Sequence, residues 1–424
     1  MTDAATPTGP ITRGSVTRVG IATVLTALCG YTVLYLAARD LDPAGFSVFG
    51  VFWGAFGLVT GAANGLLQET TREVRSVWYS GRAVGPPYTH PLRVATGVGV
   101  AAAAAIAGTA PLWAGHVFVQ SRPASVALLS VGLAGFCLHS TLLGMLAGAS
   151  RWTQYGSLMV TDAAIRVVIA ATTFAVGWGL VGFLWATVGG AVAWLIMLVV
   201  SPTTRETARL VASGDTATFL RGAGHAVAAA GASAILVMGF PVLLKATSMD
   251  LGATGGVVIL AVTLTRAPLL VPLTAMQGNL IAHFVDQRSN RIRALVGPAV
   301  VIAGVGAVGV VLADAAGPWL LRAGFGPQYR ADGALLAWLT AGAVAIALLT
   351  LTGAAVVAAA LHRAYSFGWV GATVASTLLL LLPIALQTRT VIALLCGPLV
   401  GIAVHLAALG MTPEAGPPPL PPAV

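Results

Sequence analysis

The chain has 424 residues, of which 57% are hydrophobic and 8% are charged, and its formal net charge is +9. A soluble domain carries about 25% charged residues, so this composition excludes a soluble domain. Apolar runs of about 18 or more residues recur along the whole sequence, which is typical of a helical membrane protein with many spans.

The apolar runs predict twelve transmembrane helices, so we expect an all-α integral membrane protein. In chain order these spans cover residues 14–38, 46–68, 94–119, 124–148, 154–175, 180–200, 225–245, 253–281, 295–313, 334–360, 365–386 and 391–411. The segment 201–224 is basic and partly amphipathic, which predicts a linker on the inner membrane face. The tail 412–424 is rich in proline and predicts an extended cytoplasmic segment.

The distribution of basic residues predicts the orientation of the spans. With the N-terminus inside, fourteen of the 22 Lys and Arg residues fall on cytoplasmic segments, six on outer loops and two inside spans. Cytoplasmic loops of membrane proteins carry this excess, so we expect both termini in the cytoplasm and the protein in the plasma membrane. In such a protein the positive charge favours anionic headgroups as partners and not nucleic acid.

Two pieces of the first half of the sequence recur in the second half. The stretch "LLSVGLAGFCLHSTLLGMLAGASRWTQY" ends at Tyr155, and "LLAWLTAGAVAIALLTLTGAAVVAAALHRAY" ends at Tyr365, 210 positions later; Gln68 and Gln277 are 209 apart. This shared offset predicts two six-helix lobes related by duplication, in parallel because each lobe has an even number of spans. The predicted divisions are an N-terminal lobe 1–200, the linker 201–224, a C-terminal lobe 225–411 and the tail 412–424.

Asp162, Arg166 and Arg266 lie inside predicted spans, where charge is costly and usually functional. Asp162 and Arg166 are four residues apart, so they share one helix face and can pair. The pair is either a buried clasp between helices or part of a transport site in which Asp162 accepts a coupling proton. Arg266 lies two residues before Pro268, and prolines inside a span are tolerated mainly beside a cavity. Its guanidinium fits a phosphate or carboxylate, although a distant acid such as Asp162 could also neutralise it.

Other polar residues are weaker candidates for contact with a substrate. Arg18 lies one turn into the first span and either reaches a substrate or extends to the inner membrane surface. Gln68 and Gln277 close corresponding spans of the two lobes, and we include them as substrate-binding candidates. His139, in the fourth span, is interpreted as a core histidine. A stripe of small residues in the second span predicts close helix packing; it consists of Gly54, Gly57, Gly61 and Gly65.

The sequence gives little support for an enzyme. Asp40 and Asp42 lie in the first outer loop, where membrane glycosyltransferases that use lipid-linked sugars place a metal-binding acid. The outer loops are too short for a catalytic domain, so this function is the third alternative. The three cysteines have no metal-ligand spacing, and no phosphate-binding loop precedes the single lysine, Lys245. We therefore expect a transporter, with no catalytic residue, metal or cofactor.

The N-terminal stretch "YLAARDLDPAGFSVFGVFWGAFGLVTGAANGLLQETTREV" resembles a known family. It is similar to the opening of bacterial polysaccharide-export proteins, the oligosaccharide flippases of the multidrug/oligosaccharidyl-lipid/polysaccharide (MOP) exporter superfamily. The matching residues of the first outer loop and the turn into span two are Leu41, Pro43, Phe46, Phe49 and Gly50. The twelve spans, the two lobes and the central linker also match, so the resemblance covers the whole chain.

The resemblance implies a MATE-like fold with a central cavity between the lobes, in which arginines hold the diphosphate of a polyprenyl-linked oligosaccharide. Arg266 lies where that family commonly has a cavity arginine, and Arg18 matches less well. With Arg166, Gln68 and Gln277 these are the expected substrate-binding residues, and Asp162 is the expected coupling residue. The implied partners are the lipid-linked glycan, membrane lipids and a polysaccharide polymerase or glycosyltransferases. A drug or cation antiporter of the same fold remains the main alternative.

Overall fold

The computed structural model describes residues 13–80, 85–276, 280, 283–285, 287 and 291–411. The chain forms two compact units, Met1–Ala246 and Thr247–Val424. Gln277 and the predicted tail 412–424 lie outside the described residues.

The first unit is built from helices, with one short pair of strands. In chain order the helices are α1 (Arg13–Asp40), α2 (Pro43–Ser80), α3 (Pro91–Val117), α4 (Arg122–Gly148), α5 (Trp152–Val176), α6 (Gly179–Gly189), α7 (Ala193–Val200), α8 (Pro202–Thr207), α9 (Thr216–Val237) and α10 (Phe240–Ala246). A 3-10 turn, Gly190–Val192, joins α6 to α7. Strands β1 (Tyr88–Thr89) and β2 (Ala212–Ser213) pair antiparallel.

The described residues of the second unit form helices joined by turns and irregular segments. Its helices are α11 (Gly252–Ala275), α12 (Arg291–Phe325), α13 (Gly333–Ala358), α14 (His362–Leu380) and α15 (Leu386–Met411). Across the described part of both units, eleven helices are long and apolar enough to cross a membrane, and each corresponds to a predicted span. The remaining predicted span, 365–386, corresponds to α14, whose first turn carries His362 and Arg363. The prediction of a multi-pass α-helical membrane protein is confirmed.

Two predicted spans differ from the observed helices in ways that matter for packing. The sixth span, 180–200, is interrupted by the 3-10 turn at a Gly189–Gly190 pair, a common cause of helix irregularity. The seventh span starts at Thr216 and not at 225, because the Asp215 carboxylate accepts a hydrogen bond from the Thr218 N–H, 3.1 Å away, and caps α9. The predicted linker 201–224 therefore contains α8, β2 and the first turns of α9.

The glycine stripe of α2 packs against α9 and α10, which confirms the predicted close helix contact. A Cβ atom at Gly61 would lie 2.7 Å from the Ala234 Cβ, and one at Gly65 would overlap the backbone of Val227. Without side chains on this face of α2, the two backbones approach each other directly. The helix α9 is thereby held in the first unit.

The boundary between the two compact units, as packing defines it, lies directly after α10. The sequence repeat predicts instead that the second lobe begins at residue 225, within what the structure shows to be α9. A boundary set by duplication and a boundary set by packing are different properties of the chain. The predicted lobes 1–200 and 225–411 therefore stay a prediction about the repeat.

One turn has the same backbone geometry at both copies of the repeat. After α4, Ser150 adopts a left-handed conformation with φ 58°, and after α13 Ala360 does so with φ 61°. The next residue at each place donates its N–H back to a carbonyl of the preceding helix: Arg151 to Leu146 at 2.8 Å, and Leu361 to Val356 at 3.0 Å. Left-handed non-glycine residues are uncommon, so their recurrence at an offset of 210 supports the duplication.

Candidate functional site

Asp162 and Arg166 form an ion pair inside α5. The Arg166 Nε lies 3.0 Å from Asp162 Oδ2, and Nη2 donates to Oδ1, also at 3.0 Å. Asp162 is only 7% exposed. The Nη2 hydrogen bond and the close approach of Nε together place the guanidinium directly against the carboxylate, as a charge-assisted pair. The predicted pairing of the two residues is confirmed.

The pair is enclosed by two other helices of the first unit. The Phe56 ring, on α2, lies beneath the Arg166 guanidinium, with 5.4 Å between the ring centroid and the guanidinium carbon. On another side Gly190, in the 3-10 turn between α6 and α7, faces the pair so closely that a side chain there would overlap the Asp162 carboxylate. The irregular turn in the sixth span therefore makes room for the charges of the fifth span.

His139 adds a third ionisable group to this cluster. It is buried on α4, stacked on Phe136 with ring centroids 5.3 Å apart, and it interacts electrostatically with both Asp162 and Arg166. In the part of the chain that the structure describes, its Nδ1 atom has no hydrogen-bond partner. The interpretation of His139 as a core histidine agrees with its burial. That interpretation did not include the neighbouring charges of Asp162 and Arg166. We call Asp162, Arg166 and His139 the buried charge cluster.

Arg18 lies away from the buried charge cluster. It is exposed at the start of α1, and its Nη1 donates to the Thr153 hydroxyl at 3.2 Å. Thr153 is at the beginning of α5, nine residues before Asp162, which is about 14 Å along a helix. Arg18 is therefore tied to one end of the first unit, and the structure does not bring it together with Asp162.

The polar end of α2 contains a buried acid that the sequence did not single out. Gln68 is exposed, whereas the next residue, Glu69, is 6% exposed and accepts a hydrogen bond from Arg72 at 2.6 Å. Gly222, on α9, directly faces the Glu69 carboxylate. Because residue 222 has no side chain, the backbone of α9 can cover the Glu69 carboxylate. The other glutamine candidate, Gln277, lies outside the described residues.

Arg266 is buried in the second unit, where it is 7% exposed on α11. Its neighbours in the sequence, Thr265 and Pro268, line an apolar cavity of about 600 Å³ between α11, α12 and α13. The hydroxyl of Thr265 donates to the Ala261 carbonyl at 2.8 Å, so it does not offer its proton to the cavity. Among the described residues, Arg266 itself does not line this cavity, so its contact with a substrate stays a prediction.

Comparison with other proteins identifies relatives in mycobacteria. The chain is 72% identical over 406 residues to uncharacterized protein Rv3630 of Mycobacterium tuberculosis, covering 96% of this chain and 94% of the relative. It is 68% identical over 410 residues to uncharacterized protein Rv1510 of the same organism, covering 97% and 95%. No protein-family model matches the chain.

Solved structures of transporters share the fold. One is the inward-facing conformation of a multidrug resistance MATE family transporter of the MOP superfamily, with TM-score 0.66, 14% identity, and coverage of 93% of this chain and 98% of the other. The outward-facing conformation of such a transporter gives TM-score 0.61 and 14% identity, with coverage of 93% and 95%. At this identity the likeness concerns the fold, and the expected MATE-like fold is confirmed.

Proposed function

Because the chain belongs to one family with these mycobacterial proteins and has the fold of the MATE transporters, we propose that it is a flippase for a polyprenyl-diphosphate-linked oligosaccharide. In this proposal it moves the lipid-linked glycan from the inner to the outer leaflet of the plasma membrane, for assembly of cell-envelope polysaccharide. A polysaccharide polymerase or glycosyltransferases would then supply or use the glycan.

The observation that carries the proposal is the buried arginine Arg266. A guanidinium inside a membrane span is costly, and such groups usually serve an ion or substrate path. Its five N–H donors form a rigid fork that matches phosphate oxygens better than an ammonium does. A diphosphate headgroup is strongly anionic, so a fixed cation lowers the cost of moving it across the hydrocarbon. The lipid chain itself can stay in the bilayer throughout.

The alternative function is export of a drug or another cation. It is favoured by the structural neighbours, which are multidrug resistance transporters of the MATE family. The two buried acids in the described part of the first unit argue against it: both carboxylate oxygens of Asp162 contact Arg166, and Glu69 accepts a hydrogen bond from Arg72. A carboxylate that is neutralised in this way attracts a cationic substrate weakly.

The third possibility, a glycosyltransferase, has less support. The Asp42 Oδ1 accepts a hydrogen bond from the Gly45 N–H at 2.7 Å, at the start of α2. This is the contact of a helix-capping residue, and it gives Asp42 a structural role in the loop where a catalytic acid would be needed.

Reconstitution into liposomes tests the proposal directly. The probe is a fluorescent polyprenyl-diphosphate-linked sugar, whose transfer between leaflets is measured by quenching with an impermeant reductant. We expect rapid transfer with the protein and slow transfer in empty liposomes. Uptake of ethidium by the same vesicles under an ion gradient measures the alternative. Transport of ethidium without transfer of the lipid-linked sugar would replace the flippase proposal with the antiporter.

A further inference from the structure

His405 is a buried histidine of the second unit whose two ring nitrogens both face oxygen atoms. It lies on α15 and is fully inaccessible to solvent. Its Nδ1 is 3.0 Å from the Thr352 hydroxyl on α13, and its Nε2 is 3.3 Å from the Tyr365 carbonyl oxygen on α14. Three helices thus meet at this ring.

The hydrogen bonds of this site can be satisfied in both protonation states of the imidazole. A carbonyl oxygen only accepts, so the bond to Tyr365 requires a proton on Nε2. The Thr352 hydroxyl carries one proton, and it is also 3.0 Å from the Leu349 carbonyl. In the neutral ring Thr352 donates to Nδ1. In the imidazolium Nδ1–H donates to Thr352, whose own proton turns to the Leu349 carbonyl. Binding a proton therefore requires only the rotation of one hydroxyl.

The contacts around the ring are close and are built by neighbouring residues. The Tyr365 ring lies parallel to the imidazole, at 9°, with centroids 6.2 Å apart. A side chain at Gly368 would overlap the imidazole, so the backbone of α14 covers one side of it. The two oxygens are the features of this site that favour a cationic ring.

The helices packed around His405 carry several charged and titratable groups. In the described residues, α13 carries none, and Tyr365 is the titratable group in contact with the ring. The others on α14, α12, α11 and α15 are His362, Arg363, Arg293, Asp314, Arg322, Arg266, Arg389 and Cys396. The proton on His405 is thus stabilised by oxygen acceptors, while no carboxylate among the described residues forms an ion pair with it.

The site lies near one end of the second unit. His405 is six residues before the end of α15 at Met411, and Thr352 is six before the end of α13 at Ala358, which is about 9 Å along each helix. Tyr365 is in the first turn of α14. The ring therefore lies about two helical turns from the end of the second unit at which α13 and α15 finish and α14 begins.

We propose that His405 is a proton-binding site that couples transport to a proton gradient. Intramembrane histidines with complete hydrogen-bond sets serve proton relays in transporters, because imidazole gains and loses a proton in the physiological range. The coupling part rests on the proposed transport activity, whereas proton binding by His405 does not. The site is in the second unit, separate from the buried charge cluster of the first.

Proton binding is tested by NMR of the full chain in lipid nanodiscs, with ¹⁵N-labelled histidine. The His405 ring signals are those that disappear in His405→Gln. We expect them to change from the neutral Nε2–H form to the imidazolium in one step as the pH falls. In Thr352→Val both forms of the ring lose a hydrogen bond, but the bond of the imidazolium is the stronger, so the ratio of imidazolium to neutral ring at a given pH falls by about tenfold. Thr352→Ser should titrate like the wild type. A neutral ring at every pH would overturn the proposal.

Coupling is tested in liposomes with the fluorescent polyprenyl-diphosphate probe, with and without a pH gradient. The gradient should accelerate transfer by the wild type, and in His405→Gln the ratio of the two rates falls to unity. His225→Gln, at an exposed histidine of α9, is the matched control and keeps the ratio. A ratio unchanged in His405→Gln, or equal to unity in the wild type, contradicts coupling. Absence of transfer under all conditions contradicts the flippase proposal, while the NMR titration still decides proton binding.

Discussion

Gly190 faces the Asp162 carboxylate so closely that any side chain at position 190 would overlap its Oδ1 atom. Gly190→Ala should therefore displace the ion pair of Asp162 with Arg166, at a cost of about 1–3 kcal/mol in the free energy of unfolding. Gly108→Ala is the control, because a Cβ there has no neighbour within 4 Å. Thermal unfolding in detergent, followed by tryptophan fluorescence, measures both variants. Equal stability of the two variants would show that the sixth span adapts without cost.

The second prediction concerns the charges of the pair themselves. Removal of one partner leaves the other charge buried, which costs about 3–5 kcal/mol, whereas removal of both is milder. Asp162→Asn and Arg166→Gln should each be less stable than the double variant Asp162→Asn with Arg166→Gln.

The double variant also separates the two roles of the pair. If Asp162 serves transport, the double variant regains stability but transfers the lipid probe poorly. Normal transfer by this stable double variant would identify the pair as a structural clasp. Both properties are measured on the same reconstituted preparations.

The third prediction concerns Arg266 and the anionic substrate. Loss of a hydrogen bond to a charged group is worth about 1.5–3 kcal/mol, so Arg266→Ala should weaken binding of the polyprenyl-diphosphate probe by roughly ten- to a hundredfold. Arg266→Lys should restore part of this, because lysine keeps the charge but not the forked donors. Arg322→Ala, at an exposed arginine of α12, is the matched control.

An acid at position 266 gives the most decisive result. Arg266→Glu should transfer the probe more slowly than Arg266→Ala, because a carboxylate repels the diphosphate. Normal transfer by Arg266→Glu, or a gain in ethidium transport, would favour the cation antiporter. Size-exclusion chromatography of each variant confirms that the comparison concerns folded protein.

The fourth prediction concerns orientation in the membrane. In a chain whose three native cysteines are replaced, Ser213→Cys should be shielded from an impermeant thiol reagent in intact cells. Arg330→Cys should be labelled, because an odd number of predicted spans separates the two positions. Both residues are exposed in the structure, so the membrane and not burial decides the result. Labelling of Ser213→Cys from outside would contradict cytoplasmic termini.

The helices were largely predictable from the sequence, because a span needs about 20 apolar residues and hydrophobicity reports that directly. The fourth span was expected at 124–148, and α4 covers Arg122–Gly148. The start of α9 was less predictable, since it depends on one capping contact of Asp215 within a polar segment. Hydropathy alone does not register such a contact.

The candidate site was predictable only within single helices. The spacing of Asp162 and Arg166 indicated their pairing, because residues four apart share a helix face. The contributions of His139, Phe56 and Gly190 come from three other helices, and no periodicity in one segment reveals which helices meet. The glycine stripe of α2 likewise predicted a close neighbour but did not identify it as α9.

The contact between the glycine face of α2 and α9 also has a consequence for biosynthesis. During translation α2 is made long before α9, so the bare backbone groove at Gly61 and Gly65 is without its α9 partner until then. Domains of a nascent chain fold as units once their last element is available. The first unit is therefore complete only after Ala246 has left the ribosome. A chain that stalls in segment 201–215 would contain the first six spans but would lack α9, which packs against the glycine face of α2.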